Sequence, residues 1–230
     1  MSTTLNESLL REASPARRET RIVVPGAPWG LYESFIDLLP EGSPIRVTYD
    51  GKDMEIMVTG PLHDDFGDLL DAFFKAVAGS LGIRYKPQSQ TTWKRPEIGK
   101  GIECDRCYYL DSVKIASALA ARESGSNDVK DYPNPDLAIE VDISAPEADR
   151  AGIYASMGVA EVWIFDGKSL RILRLGEDGR YHDSETSGFL PLRANQVPPW
   201  LLDEDLTDYE AWVQRIRSWA INDLKGTNLG

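Results

Sequence analysis

Residues 134–166 read NPDLAIEVDISAPEADRAGIYASMGVAEVWIFD, and the patterns in them follow one another as strand, helix, strand. Leu137, Ile139, Val141 and Ile143 alternate with Asp136, Ala138, Glu140 and Asp142, so Glu140 and Asp142 point to the same side of the first strand. Ser144, Ala145 and Pro146 break the strand. Ser144 is the expected cap of a helix that has Pro146 near its start, Glu147 and Asp149 in its first turn and Gly158 as its stop. The apolar run from Val159 to Phe165 then reads as a buried strand. A crossover of this length is what a parallel pair requires. Paired carboxylates on a buried strand cost free energy unless a cation or a donor meets them, which makes Glu140 and Asp142 candidate metal ligands.

Outward from this unit, the 230-residue chain is long enough for one sizeable core, and no linker rich in Pro, Gly and Ser divides it. One domain is expected over residues 23–202, between a disordered polar tail, residues 1–22, and a C-terminal helix and tail, residues 203–230. The fold class is α/β (α+β), a mixed central sheet flanked by helices, with an N-terminal hairpin. That hairpin pairs Val47–Tyr49 with Met54–Val58 around Asp50-Gly51, and Glu55 in its second arm is either a solvated edge residue or a further acid. An amphipathic helix runs from His63 to Leu81 and stops at Gly82. Strands are expected over Ile83–Lys86, Gln90–Lys94, Glu103–Leu110, Ser169–Leu175, Gly179–His182 and Ser187–Leu192. Tyr209, Trp212, Val213, Ile216, Trp219 and Ala220 form one helical stripe near the C-terminus.

A formal net charge of −12 argues against a protein that coats nucleic acid by bulk charge. One basic tract stands out, with Arg84, Lys86, Lys94 and Arg95 around Tyr85 and Trp93. It is either a solvated hairpin face or a phosphate contact. No apolar leader or membrane span appears, so a cytoplasmic protein without membrane contact is expected. The Cys104-x-x-Cys107 pair admits a zinc or redox reading, or two small half-buried residues; the only histidines, His63 and His182, lie far apart. Asp105 and Glu140, if their strands are neighbours, can hold one hard divalent cation, Mg2+ or Mn2+, through oxygens.

The segments GPLHDD (60–65), GIECDRCYYL (101–110), PDLAIEVDIS (135–144) and IYASMGVAEVWIFD (153–166), in this order, resemble the Uma-type family of the restriction-endonuclease-like superfamily, over about residues 27–200. The superfamily pattern is P-D followed by D/E-x-K. The resemblance implies a magnesium-dependent endonuclease acting on DNA, with Asp105 as the first-motif aspartate, behind Cys104 in place of proline, and Glu140 as the second-motif acid. Asp142 stands where the lysine is usual. Arg150 takes the place of the basic residue that this family is expected to supply from the following helix; arginine stays protonated and cannot act as a base, though it can hold a phosphate. The resemblance puts Glu55, His63 and Asp64 near the entrance of the site. A homodimer is expected, because cutting two strands calls for two such sites and the Trp212, Ile216, Trp219 stripe offers an apolar face. The alternative from another class is an inactive nuclease fold that binds nucleic acid or protein, favoured by Asp142 and Arg150 at the lysine positions.

Overall fold

The computed structural model describes residues 19–40, 42–88, 91–203 and 205–226. In chain order the elements are β1 (Thr20–Val24), α1 (Trp29–Leu38), β2 (Ile45–Tyr49), β3 (Met54–Val58), α2 (Pro61–Ser80), β4 (Lys86–Pro87), β5 (Thr92–Arg95), β6 (Lys100–Glu103), β7 (Arg106–Tyr109), α3 (Ser112–Glu123), β8 (Leu137–Val141), α4 (Arg150–Ser156), β9 (Glu161–Phe165), β10 (Leu170–Leu175), β11 (Tyr181–Ser184), α5 (Pro198–Leu201) and α6 (Tyr209–Trp219). The large sheet has the order β11-β10-β9-β8-β7-β4, and the small one β1-β3-β2-β6-β5. Strands β8 and β9 are parallel, with Leu137 opposite Glu161 and Val141 opposite Phe165, whereas β7 and β10 flank them antiparallel. The chain is thus an α/β protein with a mixed central sheet and helices on both faces, as the strand, helix, strand pattern predicts.

Alternation in β8 sorts its side chains between two cores. Leu137, Ile139 and Val141 pack with Phe66, Leu70, Phe73 and Phe74 of α2, and with Trp212 and Ile216 of α6. Ala138 faces the other way, onto Ile153 and Tyr154 of α4 and Ala118 of α3. Glu140 follows Ala138 in the period of two, so it lies on the α4 side. The small sheet is covered by α1 through Tyr32, which sits among Val47, Tyr49 and Met54.

The structure departs from the sequence reading in several places. The helix expected from Ser144 begins only at Arg150, capped by the Asp149 side chain on Gly152 N at 2.9 Å. Ser144 is engaged elsewhere, and the backbone N–H groups of Glu147 and Ala148 donate to Glu55. The strand expected over 103–110 is two strands in two sheets, broken at Cys104-Asp105. The hairpin turn spans four residues, because Asp50 Oδ1 accepts from both Lys52 N and Asp53 N. Residues 187–192 form a turn instead of a strand, wrapped on the fully buried Glu161, which accepts from Ser187 Oγ, Gly188 N and Trp163 Nε1. Of the tail expected to be disordered, residues 1–18 lie outside the described residues, whereas Thr20–Val24 is a strand paired with β3. The apolar stripe of α6 is turned inward: Trp212 and Ile216 have no exposed surface, and Trp219 packs on Phe73 and Trp200. Among the described residues no helix is long and apolar enough to cross a membrane.

Candidate active site

Asp105 occupies the joint where the chain leaves the small sheet at β6 and enters the large one at β7. The register pairs Arg106 with Ile139, so its continuation puts Asp105 beside Glu140. Asp105 Oδ2 accepts from Val141 N at 2.9 Å and lies 3.2 Å from His63 Nε2, on the first turn of α2. Its other oxygen, Oδ1, is buried without a hydrogen-bond partner among the described residues. The flanking Cys104 and Cys107 are free thiols in the core beside Trp93, Tyr109 and Tyr154. Cys107 Sγ donates to Gln88 O, and burial pushes the Cys104 thiol well up, so the pair behaves as small apolar side chains.

Glu140 faces α4, where Tyr154 donates to its Oε1 and Arg150 Nη1 lies 2.8 Å from its Oε2. The same Nη1 donates to Asp142 Oδ1 at 2.8 Å, so one guanidinium nitrogen serves both carboxylates. Arg150 is only 5 % exposed, yet its Nε and Nη2 have no hydrogen-bond partner among the described residues. Glu55 is also interior, at 1 % exposure. Its Oε2 takes the two N–H groups of the 147–148 loop and its Oε1 accepts from Arg21 Nη1 at 2.6 Å. Asp64 lies at the rim with its side chain largely exposed, 3.4 Å from His63 Nδ1.

The structure brings Glu55, His63, Asp105, Glu140, Asp142 and Arg150 into one cluster, and adds members that the sequence reading missed. Arg21 donates to Glu55, Glu19 and Asp142, and to Ser144 through both Oγ and O. Glu19 Oε2 accepts from Ser144 N, and its Oε1 lies 3.9 Å from His63 Nε2. The stretch T-R-I-V-V after Glu19 carries no alternation, and the polar composition before it hid a five-residue strand. Tyr154 was visible inside the I-Y-A-S-M-G-V run, but only as part of a pattern.

Five buried carboxylates, Glu19, Glu55, Asp105, Glu140 and Asp142, therefore face two guanidiniums and one imidazole. Burial raises Glu140 from 4.5 to about 8 despite Arg150, with Asp105 and Asp142 adding to the rise. Burial likewise raises Asp142. For Asp105 burial acts upward too, but His63, Arg150 and the Val141 N–H together hold it below the ordinary carboxylate value. His63 is raised, because Asp105 and Glu19 outweigh the effect of burial. Excess negative charge beside the unpartnered Asp105 Oδ1 is chemistry that a hard cation would answer. Mg2+ in particular retains water and needs only one or two protein carboxylates. Among the described residues no group of three or more His, Cys, Asp or Glu side chains is placed to hold a metal ion, so an ion here would rest on two carboxylates and water.

One consequence is measurable without metal. The native state holds the Glu140 proton more tightly than the unfolded chain, so this contribution to stability is complete below 4.5 and is lost as pH rises toward about 8. The raised His63 and Asp142 act in the same direction, and the lowered Asp105 matters only in more acid solution. In EDTA, urea unfolding should show stability falling between pH 5 and 8 by up to about 1.4 kcal/mol per pH unit for each proton lost. Glu140→Gln should flatten that slope, and an unchanged slope would remove Glu140 as its source.

The basic tract is dispersed. Arg95 is buried and donates to Asn134 Oδ1, Val129 O and Tyr132 O, which corrects the expectation that it contacts nucleic acid. Lys94 pairs with Asp37, Lys86 bonds Gln88 and lies over the Tyr109 ring, and Arg84 is exposed. Arg95→Ala should lower stability by about 3 kcal/mol through three abandoned acceptors, as read by urea denaturation. A loss confined to DNA binding would contradict this placement.

A family model described as "Uma2: Putative restriction endonuclease" matches residues 32–204. No curated protein matches the chain. A solved structure described as a "putative nuclease belonging to DUF820" from Anabaena variabilis is 14 % identical, aligns over 79 % of this chain and 97 % of that one, and gives a TM-score of 0.46.

Proposed function

The chain belongs to the Uma2 family, and from that premise we propose that it is a Mg2+- or Mn2+-dependent DNA endonuclease whose site is the cluster around Asp105 and Glu140. The observation that carries the reading is a pair of unmet needs at one buried point: Asp105 Oδ1, and Arg150 Nε and Nη2, have no hydrogen-bond partner among the described residues, whereas Glu140 Oε2 beside them is held by Arg150 Nη1 at 2.8 Å. The Asp105 oxygen is an acceptor for a cation and the Arg150 nitrogens are donors for an anion, which is the complementarity that a metal-bound phosphodiester needs.

Asp105 and Glu140 would hold the ion, which when bound polarises a phosphoryl oxygen and lowers the pKa of an attached water. The chain's own residues set the stage for this. Val141 N–H and His63 fix the Asp105 carboxylate, and His63 keeps it ionised. Tyr154 fixes the rotamer of Glu140. Arg150 remains protonated, because the carboxylates around it outweigh its burial, so it acts as an electrostatic clamp and not as a base. Its two spare nitrogens, Nε and Nη2, are the donors for the phosphate oxygens. Arg84, Lys86 and Lys94 are the basic residues left to approach the flanking backbone, and a homodimer in the cytoplasm remains the expected form for double-strand cleavage.

The reading is tested by incubating the protein with supercoiled and single-stranded DNA in Mg2+, Mn2+ or EDTA, with light scattering on the same samples. Metal-dependent nicking supports it, and DNA binding without nicking in either metal defeats it. That second outcome would favour the inactive binding module, whose supporting observation is that Arg150 already bridges Glu140 and Asp142.

A further inference from the structure

The site is closed as it stands. Asp105, Glu140, Asp142 and Arg150 are each at most 8 % exposed, so neither DNA nor the two spare donors of Arg150 can reach the other without movement. Among the described residues strand β1 lies at the edge of the small sheet, hydrogen-bonded to β3, and Thr20, Ile22 and Val23 are exposed along it. Such a strand has little packing to hold it down, and segments of that kind open at low free-energy cost. Its side chains nevertheless reach the site. Arg21 Nε bonds Ser144 Oγ at 3.0 Å, Nη2 bonds Ser144 O at 3.1 Å, and Nη1 bonds Glu55 Oε1 at 2.6 Å. Glu19 accepts from Ser144 N at 3.2 Å and from Arg21 Nη2 at 2.8 Å.

We propose that β1 is a releasable cover on the carboxylate cluster, pinned there by Glu19 and Arg21, and that these two side chains let go when a divalent cation enters. This rests on the reading of the cluster as the reactive site. The coupling is electrostatic. Arg21 lies 3.4 Å from Asp142, where it helps neutralise the cluster in place of an added cation. A divalent ion at Asp105 and Glu140 repels Arg21 and takes over that neutralisation. The pins also bind Ser144, so their release frees β1 and the head of the 144–149 loop, while Glu55 keeps hold of Glu147 N and Ala148 N. By linkage, whatever loosens the cover must tighten cation binding by the same factor.

The test uses the full chain and Mn2+ as the probe. Wild type, Arg21→Ala and a Thr20→Cys/Val58→Cys pair, whose positions are register partners in β1 and β3, are compared by calorimetry and by hydrogen exchange of the 20–24 amides. Arg21→Ala should bind Mn2+ about tenfold more tightly, within the usual range of such couplings, and its 20–24 amides should exchange faster without metal. Mn2+ should speed exchange at 20–24 in wild type while β2 stays protected. The oxidised cysteine pair should bind Mn2+ at least tenfold more weakly, with recovery on reduction. Weaker binding in Arg21→Ala, or a cross-link without effect on affinity, overturns the cover. If no form binds Mn2+, the metal reading falls separately; unchanged protection at 20–24 in Arg21→Ala then overturns the cover on its own.

Discussion

Asp105→Asn and Glu140→Gln are each expected to lower Mg2+-supported nicking by about a thousandfold, or ~4 kcal/mol of transition-state stabilisation, while the fold stays within about 1 kcal/mol of wild type. The two losses have different origins. Asp105 carries the orphaned Oδ1 and is held ionised by His63, so the amide removes a charge that the structure keeps in place. Glu140 is held up near 8 by burial, so at neutral pH and without a cation it is largely protonated, and glutamine resembles the resting state closely. Glu140→Gln should therefore be the quieter variant in the absence of metal and equally silent in catalysis. Circular dichroism, manganese calorimetry and plasmid nicking separate these effects. Full nicking by either variant would move the site elsewhere.

Arg150→Ala should be the most destabilising single change in the cluster, costing about 3–5 kcal/mol near pH 8, because it strips the shared cation from two buried carboxylates. Its Nη1 is 2.8 Å from both Glu140 and Asp142, and among the described residues the other guanidinium in the cluster, Arg21, reaches only Asp142 of the two. At pH 5 the carboxyls can bind protons instead, so the penalty should shrink. Mn2+ should restore part of the stability near pH 8 if the ion sits on Asp105 and Glu140. Arg150→Lys keeps the charge and should recover most of the stability, with nicking closer to wild type than in Arg150→Ala. Urea melts at the two pH values, with and without Mn2+, decide the matter; equal penalties at pH 5 and 8 would show that packing, not charge, is what Arg150 supplies.

The core unit was legible because its signals are periodic. Alternation in 137–143, a stop at Gly158 and the apolar run to Phe165 record burial on two faces, and the structure sorts Leu137, Ile139 and Val141 from Ala138 accordingly. The joint at Asp105 was not legible, since a chain that passes from one sheet to the next keeps strand-like residues throughout 100–109. Nor could sequence tell that Arg95 is spent on three interior acceptors, because a guanidinium in a hairpin looks alike whether its partners are carbonyls or phosphates. The Trp212, Ile216 and Trp219 stripe read as a face without saying what covers it, and α2 supplies most of the answer. Glu19 and Arg21 were lost for a different reason. Their contacts with Ser144 span more than 120 positions and that of Arg21 with Glu55 spans 34, and no local pattern encodes contacts of such span.

That separation also has a meaning in time. Arg21 is synthesised 123 residues ahead of Ser144, which at roughly 5–20 residues per second is about 6–25 s of translation. Until Glu140 is added near the end of that interval, and Arg150 just after it, the growing polypeptide carries at most Glu19, Glu55 and Asp105 of the cluster, so the cluster is incomplete. Only once β9 has emerged and paired with β8 are all the pieces present. Maturation of the site therefore coincides with completion of the sheet that bears it.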